Sequence, residues 1–142
     1  MSKPNPLEAT FNRAFGWLVG LGLAPADFYL LQVRGRKTGR VFSTPVDVLR
    51  LGDKTFLVAP RGETQWVRNA RAGGAVTLKR GRTATSFAVR EVSEQDRPDV
   101  LRAYLDRFKR QVQRFFPVAA GSPREAFVPL ASRYPVFELI PR

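Results

Sequence analysis

The chain has 142 residues, with 24 Lys and Arg against 12 Asp and Glu, a formal net charge of +12 and a pI near 11.3. Hydrophobic residues make up 44% and include eleven Phe, enough for one domain to bury a real core, which excludes a disordered chain. The excess positive charge favours an anionic partner: a phosphorylated small molecule, a nucleic acid or a membrane surface.

There is no Cys and no His. That removes disulfides, a thiolate nucleophile, Cys-based metal sites, and the commonest general base and metal ligand. No carboxylate pair or calcium-loop spacing replaces them, so no metal site is expected. Any enzyme chemistry is then expected from a bound cofactor, with the protein supplying position and electrostatics. The N-terminus shows no signal-peptide pattern, and no apolar run approaches the ~18 residues of a membrane span. The expected compartment is the cytoplasm.

Residues 1–27 read as an arm with one helix, ahead of a barrel domain at 28–142. Asn5 can cap that helix, Pro6 suits its first position, and Leu7, Phe11, Phe15 and Leu18 share a face. The face covers one end of a sheet, or else touches lipid as a peripheral membrane contact; few basic residues support the second reading.

Phe28 to Arg34 is the first predicted strand and Val41 to Arg50 the second. Between them lies Gly35-Arg36-Lys37-Thr38-Gly39, a turn that places Arg34, Arg36, Lys37 and Arg40 at one hairpin end. Like charges so close repel, and a bound anion would relieve that repulsion. The alternative is a solvated charged tip. Thr44-Pro45 interrupts the second strand, implying an edge, a bulge or a ligand-lined bend. Leu51-Gly52-Asp53-Lys54 turns into a third strand, Thr55 to Ala59, which completes a meander.

After Pro60-Arg61-Gly62-Glu63, Thr64 can cap a short helix, Gln65 to Ala72, stopped by Gly73-Gly74. Trp66 and Asn69 share a face of it. Asn69 then needs a partner for its amide, a loop carbonyl or a ligand. Arg68 and Arg71 read as solvated. Strands at Ala75–Arg80 and Thr83–Val92 follow. A long helix capped by Asp96 carries the stripe Val100, Leu101, Tyr104, Leu105 and Phe108 toward Phe115-Phe116. Residues 118–133 are irregular or briefly helical, and Tyr134 to Ile140 is a sixth strand.

Six mostly antiparallel strands with one long and two shorter helices predict a small β-barrel flanked by helices. A nucleic-acid-binding barrel is also permitted. However, Phe28, Phe42, Phe56, Phe87 and Phe137 are spread over different strands, at positions that look like core, not gathered on one exposed base-stacking face. A small-ligand site is therefore favoured over nucleic acid.

The segments Gly35-Arg36-Lys37-Thr38-Gly39-Arg40, Ser43-Thr44-Pro45-Val46, Leu57-Val58-Ala59-Pro60-Arg61-Gly62 and Trp66-Val67-Arg68-Asn69-Ala70-Arg71-Ala72 carry a family resemblance. In order and spacing they resemble the deazaflavin (coenzyme F-420)-dependent nitroreductase family, within the flavin and deazaflavin oxidoreductases of split β-barrel fold. The resemblance implies an oxidoreductase that passes a hydride from reduced coenzyme F-420 to a quinone, enone or nitro-aromatic. It implies that Arg36, Lys37 and Thr38 hold the cofactor's phosphate or tail carboxylates. Ser43, Thr44 and Pro45 would line its tail and ring region. Ala59, Pro60 and Arg61 would lie along the ring, and Trp66 and Asn69 would brace that loop and reach the cofactor. It assigns no catalytic residue, and the final proton is expected from solvent. The alternatives are FMN as cofactor, or a non-catalytic binder of a flavin, a fatty acid or another apolar anion. Split barrels of this kind often pair, which makes a homodimer an expectation. Three features depart from the best-known members: Phe42 stands where a second arginine is usual, the Gly62–Gln65 loop is short, and Phe108, Phe115, Phe116 and Phe127 replace late tyrosines.

Overall fold

The computed structural model describes residues 27–142. The expected arm helix lies outside them. The strands are β1 (Phe28–Arg34), β2 (Val41–Asp47), β3 (Leu49–Leu51), β4 (Lys54–Val58), β5 (Ala75–Arg80), β6 (Thr83–Glu91) and β7 (Val136–Pro141). Helix α1 (Gln65–Gly73) follows β4, and helix α2 (Arg97–Val112) follows β6. Three short 3-10 turns, Gln113–Phe115, Arg124–Ala126 and Val128–Leu130, connect α2 to β7.

All strand pairs are antiparallel, in the order β2-β1-β5-β6-β7-β4-β3. The two outermost strands, β2 and β3, are one stretch of chain interrupted only at Val48. The sheet must therefore curl until its edges meet, which makes it a split barrel. The expected second strand is this stretch. Its first half pairs with β1 and its second half with β4, so the meander is present in the fold.

The break in that stretch falls at Val48, not at Thr44-Pro45. Pro45 sits within β2 opposite Leu30. An edge strand has one row of N–H groups without a ladder partner, so proline's missing donor is tolerated there. Val48 is fully buried and its N–H donates to the Asp27 carbonyl at 2.8 Å, which pins the bend. The last strand also starts later than expected, at Val136, because Tyr134 and Pro135 pack beneath it as loop.

Strand alternation divides the interior in two. Leu31, Val33, Leu57, Val76, Leu78, Phe137 and Leu139 point into the barrel, where Val67 and Ala70 of α1 close one end. The opposite face of β3, β4 and β7 supplies Leu49, Phe56, Val58 and Val136, which receive the whole predicted α2 stripe from Val100 to Phe108. Not every phenylalanine is core: Phe42 is 37% exposed, and Phe28 and Phe87 are half-buried.

At Phe108 the backbone of α2 leaves helical geometry, with φ −115° and ψ 28°. The residues beyond it swing toward β2 and the β4–α1 loop. At the other end of α1, Gly74 takes φ 72°, a left-handed stop that glycine adopts without strain. No helix among the described residues is long and apolar enough to cross a membrane.

Candidate active site

The β1–β2 turn closes because Gly35 and Arg40 bond across it, with the Gly35 N–H donating to the Arg40 carbonyl at 2.6 Å. A side chain at Gly35 would meet the Phe42 ring at 2.7 Å, so the turn needs glycine there for close packing. This turn leans onto α1. The Arg36 N–H donates to Asn69 Oδ1 at 3.1 Å, and its guanidinium donates to the same oxygen at 2.8 Å and to Gln65 Oε1 at 2.9 Å. Asn69 is 4% exposed, and the partner of its amide oxygen is the hairpin's Arg36, where a loop carbonyl or a ligand was the expectation for its amide. Arg36 braces the turn, and Lys37 beside it stays exposed and makes no hydrogen bond or ion pair among the described residues.

Between hairpin and helix opens a cavity of about 1190 Å³. Its walls include Arg36, Lys37 and Thr38 of the turn, Ser43, Thr44 and Pro45 of β2, and Pro60 and Arg61 of the loop, with Trp66 and Asn69 on α1. Of the residues assigned from the sequence, only Ala59 is missing. It is 1% exposed behind the wall, its N–H bonded to the Pro135 carbonyl at 2.9 Å and its carbonyl to the Gly62 N–H at 3.0 Å.

Of the far wall, only Phe115 was singled out from the sequence. Tyr104, Arg110, Gln111, Val112, Arg114 and Phe115 come from α2 and the turn after it. The Phe115 ring lies between two guanidinium groups, 5.3 Å from Arg61 Cζ and 4.7 Å from Arg114 Cζ. This cation–π contact ties the loop to the helix end. Phe42 also faces the cavity, where the family resemblance would place an arginine.

Among the described residues Asp47 is the only carboxylate in the lining, and it is 9% exposed. Its Oδ1 is buried without a hydrogen-bond partner among the described residues, as is Thr64 Oγ1, also on the wall. Thr64 has the extended backbone of an N-cap, yet its hydroxyl makes no cap bond. Burial, and then the nearby Asp27 charge, push the Asp47 carboxyl up to about 6. Burial, reinforced by Asp47, also raises the Tyr104 phenol well above its usual range.

Arg71 is not solvated as expected. It bonds Glu63 at 2.7 Å and Glu91 at 2.7 Å, and Glu91 also receives Arg97 at 3.1 Å. The 7%-exposed Arg97 further donates to the Val92 and Ala131 carbonyls at 2.9 Å each. This network clamps α1, β6 and α2 behind the cavity.

A cavity of this size exceeds what a single drug-sized ligand needs. Lys37, Arg61, Arg110 and Arg114 give it positive charge, Pro45, Val46 and Trp66 give it apolar wall, and Ser43 and Thr44 are its hydroxyl-bearing residues on β2. These residues fit an anionic cofactor with a planar ring, and they leave room for a second small molecule. Among the described residues no cluster of His, Cys, Asp or Glu could hold a metal ion.

Residues 7–116 match the model of the family described as F420H(2)-dependent quinone reductase. No curated protein sequence is a significant match. Among solved structures, an F420-H2 dependent reductase, FDR-A, is similar over 80% of this chain and 94% of its own, at 17% identity and a TM-score of 0.54. A structure described as a domain-swapped dimer covers 94% of this chain and 96% of its own, at 15% identity and a TM-score of 0.55. A FAD-binding protein from Mesorhizobium loti covers 89% and 88%, at 11% identity and a TM-score of 0.55. At these identities the structural likenesses establish the split-barrel fold, and the family model spans most of the chain. The protein belongs to the F420H(2)-dependent quinone reductase family, oxidoreductases whose cofactor is the deazaflavin coenzyme F-420.

Proposed function

We propose that the cavity holds reduced coenzyme F-420 and that the protein reduces a quinone, or a related enone or nitro-aromatic, bound beside it. One observation carries this reading: the basic hairpin and the Trp66–Asn69 helix line a single cavity and are bonded to each other through Arg36. When bound, the cofactor supplies a hydride. The protein's own contribution is binding, orientation and exclusion of water.

Lys37 offers an ammonium to the cofactor's phosphate or tail carboxylates. Ser43 and Thr44 offer hydroxyls along β2, and Pro45 and Pro60 form rigid apolar wall for the ring. The Phe115 end, flanked by Arg61 and Arg114, is the natural place for an apolar acceptor with polar oxygens. A homodimer is part of this reading, supported by the dimeric neighbour.

The test is a fluorescence titration of the purified protein with F-420 and FMN, followed by single-turnover mixing of the reduced-cofactor complex with menadione. Tight F-420 binding and menadione-dependent oxidation are expected. Preference for FMN, or binding without oxidation by any quinone, enone or nitro-aromatic, would replace this reading with that of a flavin carrier.

A further inference from the structure

A quinone becomes a hydroquinone by gaining two electrons and two protons. A hydride carries both electrons and one of the protons, which leaves one proton for another source. Neither His nor Cys exists in this chain to give it. Among the described residues the lining of the cavity holds a single carboxyl group, that of Asp47. We propose that Asp47 is the acid that delivers this proton to the acceptor's oxygen. This inference rests on the reductase reading above.

The geometry carries it. Asp47 ends β2, opposite Phe28, where the chain is about to bend at Val48. It is more than nine-tenths buried, yet its Oδ1 has no partner among the described residues and the side chain lines the cavity. An unpaired buried oxygen costs about 1–3 kcal/mol, and more when the group is charged, so this position favours the neutral, protonated acid. Thr64 Oγ1 on the opposite, loop side has the same unfilled capacity.

The groups around Asp47 keep it protonatable. Asp27 precedes β1 and its charge disfavours a second negative charge nearby. Two cations pair with Asp27 and none with Asp47 among the described residues: Arg50 of β3 at 3.3 Å and Arg107 of α2 at 3.0 Å. Tyr104 faces Asp47 from α2 as a neutral phenol. The basic lining residues Arg36, Lys37, Arg61, Arg110 and Arg114 make no ion pair with Asp47. A carboxyl that titrates near 6 can act as an acid in neutral solution, and an occupied cavity desolvates it further.

In the step itself, the O–H bond of the Asp47 acid breaks and an O–H bond forms on the acceptor. The hydride supplies the electron pair and the other hydrogen. The carboxylate left behind regains a proton from water, equal to the one that oxidation of the reductant releases.

The experiment compares the full-length wild type with Asp47→Asn and Asp47→Glu. Carboxyl-carbon NMR of wild type, assigned by its loss in Asp47→Asn, should show Asp47 titrating well above an ordinary aspartate and shifting when menadione binds. Asp47→Asn should bind F-420 with wild-type fluorescence, reduce menadione about a hundredfold more slowly, and lose the fall in rate as pH rises through about 6. Asp47→Glu should restore part of both. An ordinary carboxyl titration, or a wild-type rate and pH profile in Asp47→Asn with cofactor bound, would overturn the assignment while leaving the reductase reading intact. Failure of the wild type to bind F-420 at all would overturn both.

Discussion

Asn69→Ala removes the oxygen that takes two of the three hydrogen bonds from Arg36 of the hairpin to α1. That oxygen receives two bonds from Arg36, a neutral one from the backbone N–H at 3.1 Å and a charged one from the guanidinium at 2.8 Å. Net values for such bonds are about 1 kcal/mol for the neutral and about 1.5–3 for the charged one. Both lie at a half-buried site where water replaces part of the loss, and the guanidinium keeps Gln65 at 2.9 Å. The expected destabilisation is therefore about 2 kcal/mol, read as a lowered urea midpoint or a melting temperature lower by about 6–8 °C. The turn, held against α1 only through Gln65, should also lose about tenfold in F-420 affinity by fluorescence titration. Asn69→Asp separates the two effects. It keeps the acceptor for Arg36, so stability should hold, but it adds a negative charge to an anion site, so affinity should fall. A double-mutant cycle with Arg36→Ala should give a coupling of about 1–2 kcal/mol. If Asn69→Ala melts and binds like wild type, the hairpin and helix are united by something other than this bond.

Lys37→Ala should weaken F-420 binding at least tenfold, with an unchanged urea midpoint and a flatter salt dependence; equal affinity would remove Lys37 from the anion grip. Asp47 also affects stability. Its folded-state pKa lies above the unfolded value, so the native state holds the extra proton and stability falls as pH rises from about 4 to about 6. Asp47→Asn should match wild type near pH 4 and exceed it by up to about 3 kcal/mol near pH 8, measured by urea unfolding at both. Glu91 behaves in the opposite sense, because the bond from Arg71, its largest influence, lowers its pKa. Glu91→Gln should cost about 1–2 kcal/mol at pH 7, and the difference should shrink as pH falls through the carboxylate range. A pH-independent gap would show that charge is not what this clamp uses.

Much of the fold is legible in local pattern. Alternating apolar residues bounded by Gly52, Gly81 and the Gly73-Gly74 pair mark every strand to within a few positions, because turns and alternation are local properties. The hairpin and the Trp66–Asn69 helix could likewise be picked out as site elements. The rest depends on how distant segments meet. Nothing near Arg36 in sequence shows that its guanidinium answers Asn69, 33 residues away. Arg71 reads as solvated because its partner Glu91 arrives from β6, 20 residues on. Asp47 stands between Val46 and Val48, and a carboxylate in an apolar strand is a signal that sequence reading could have used. Which face it turns to depends on the register of β2 against β1, where it stands opposite Phe28. Arg110 and Arg114 look like ordinary surface charges until the break at Phe108 turns them onto the cavity.

That break has a consequence for how such a protein can diversify. Upstream of Phe108, the helix is held by the buried stripe, and change there threatens the whole domain. Downstream, Arg110, Gln111, Arg114 and Phe115 touch the cavity while being at most half-buried. New acceptor preferences can thus arise by drift in a few tail positions, with the anchoring half left untouched by selection for novelty.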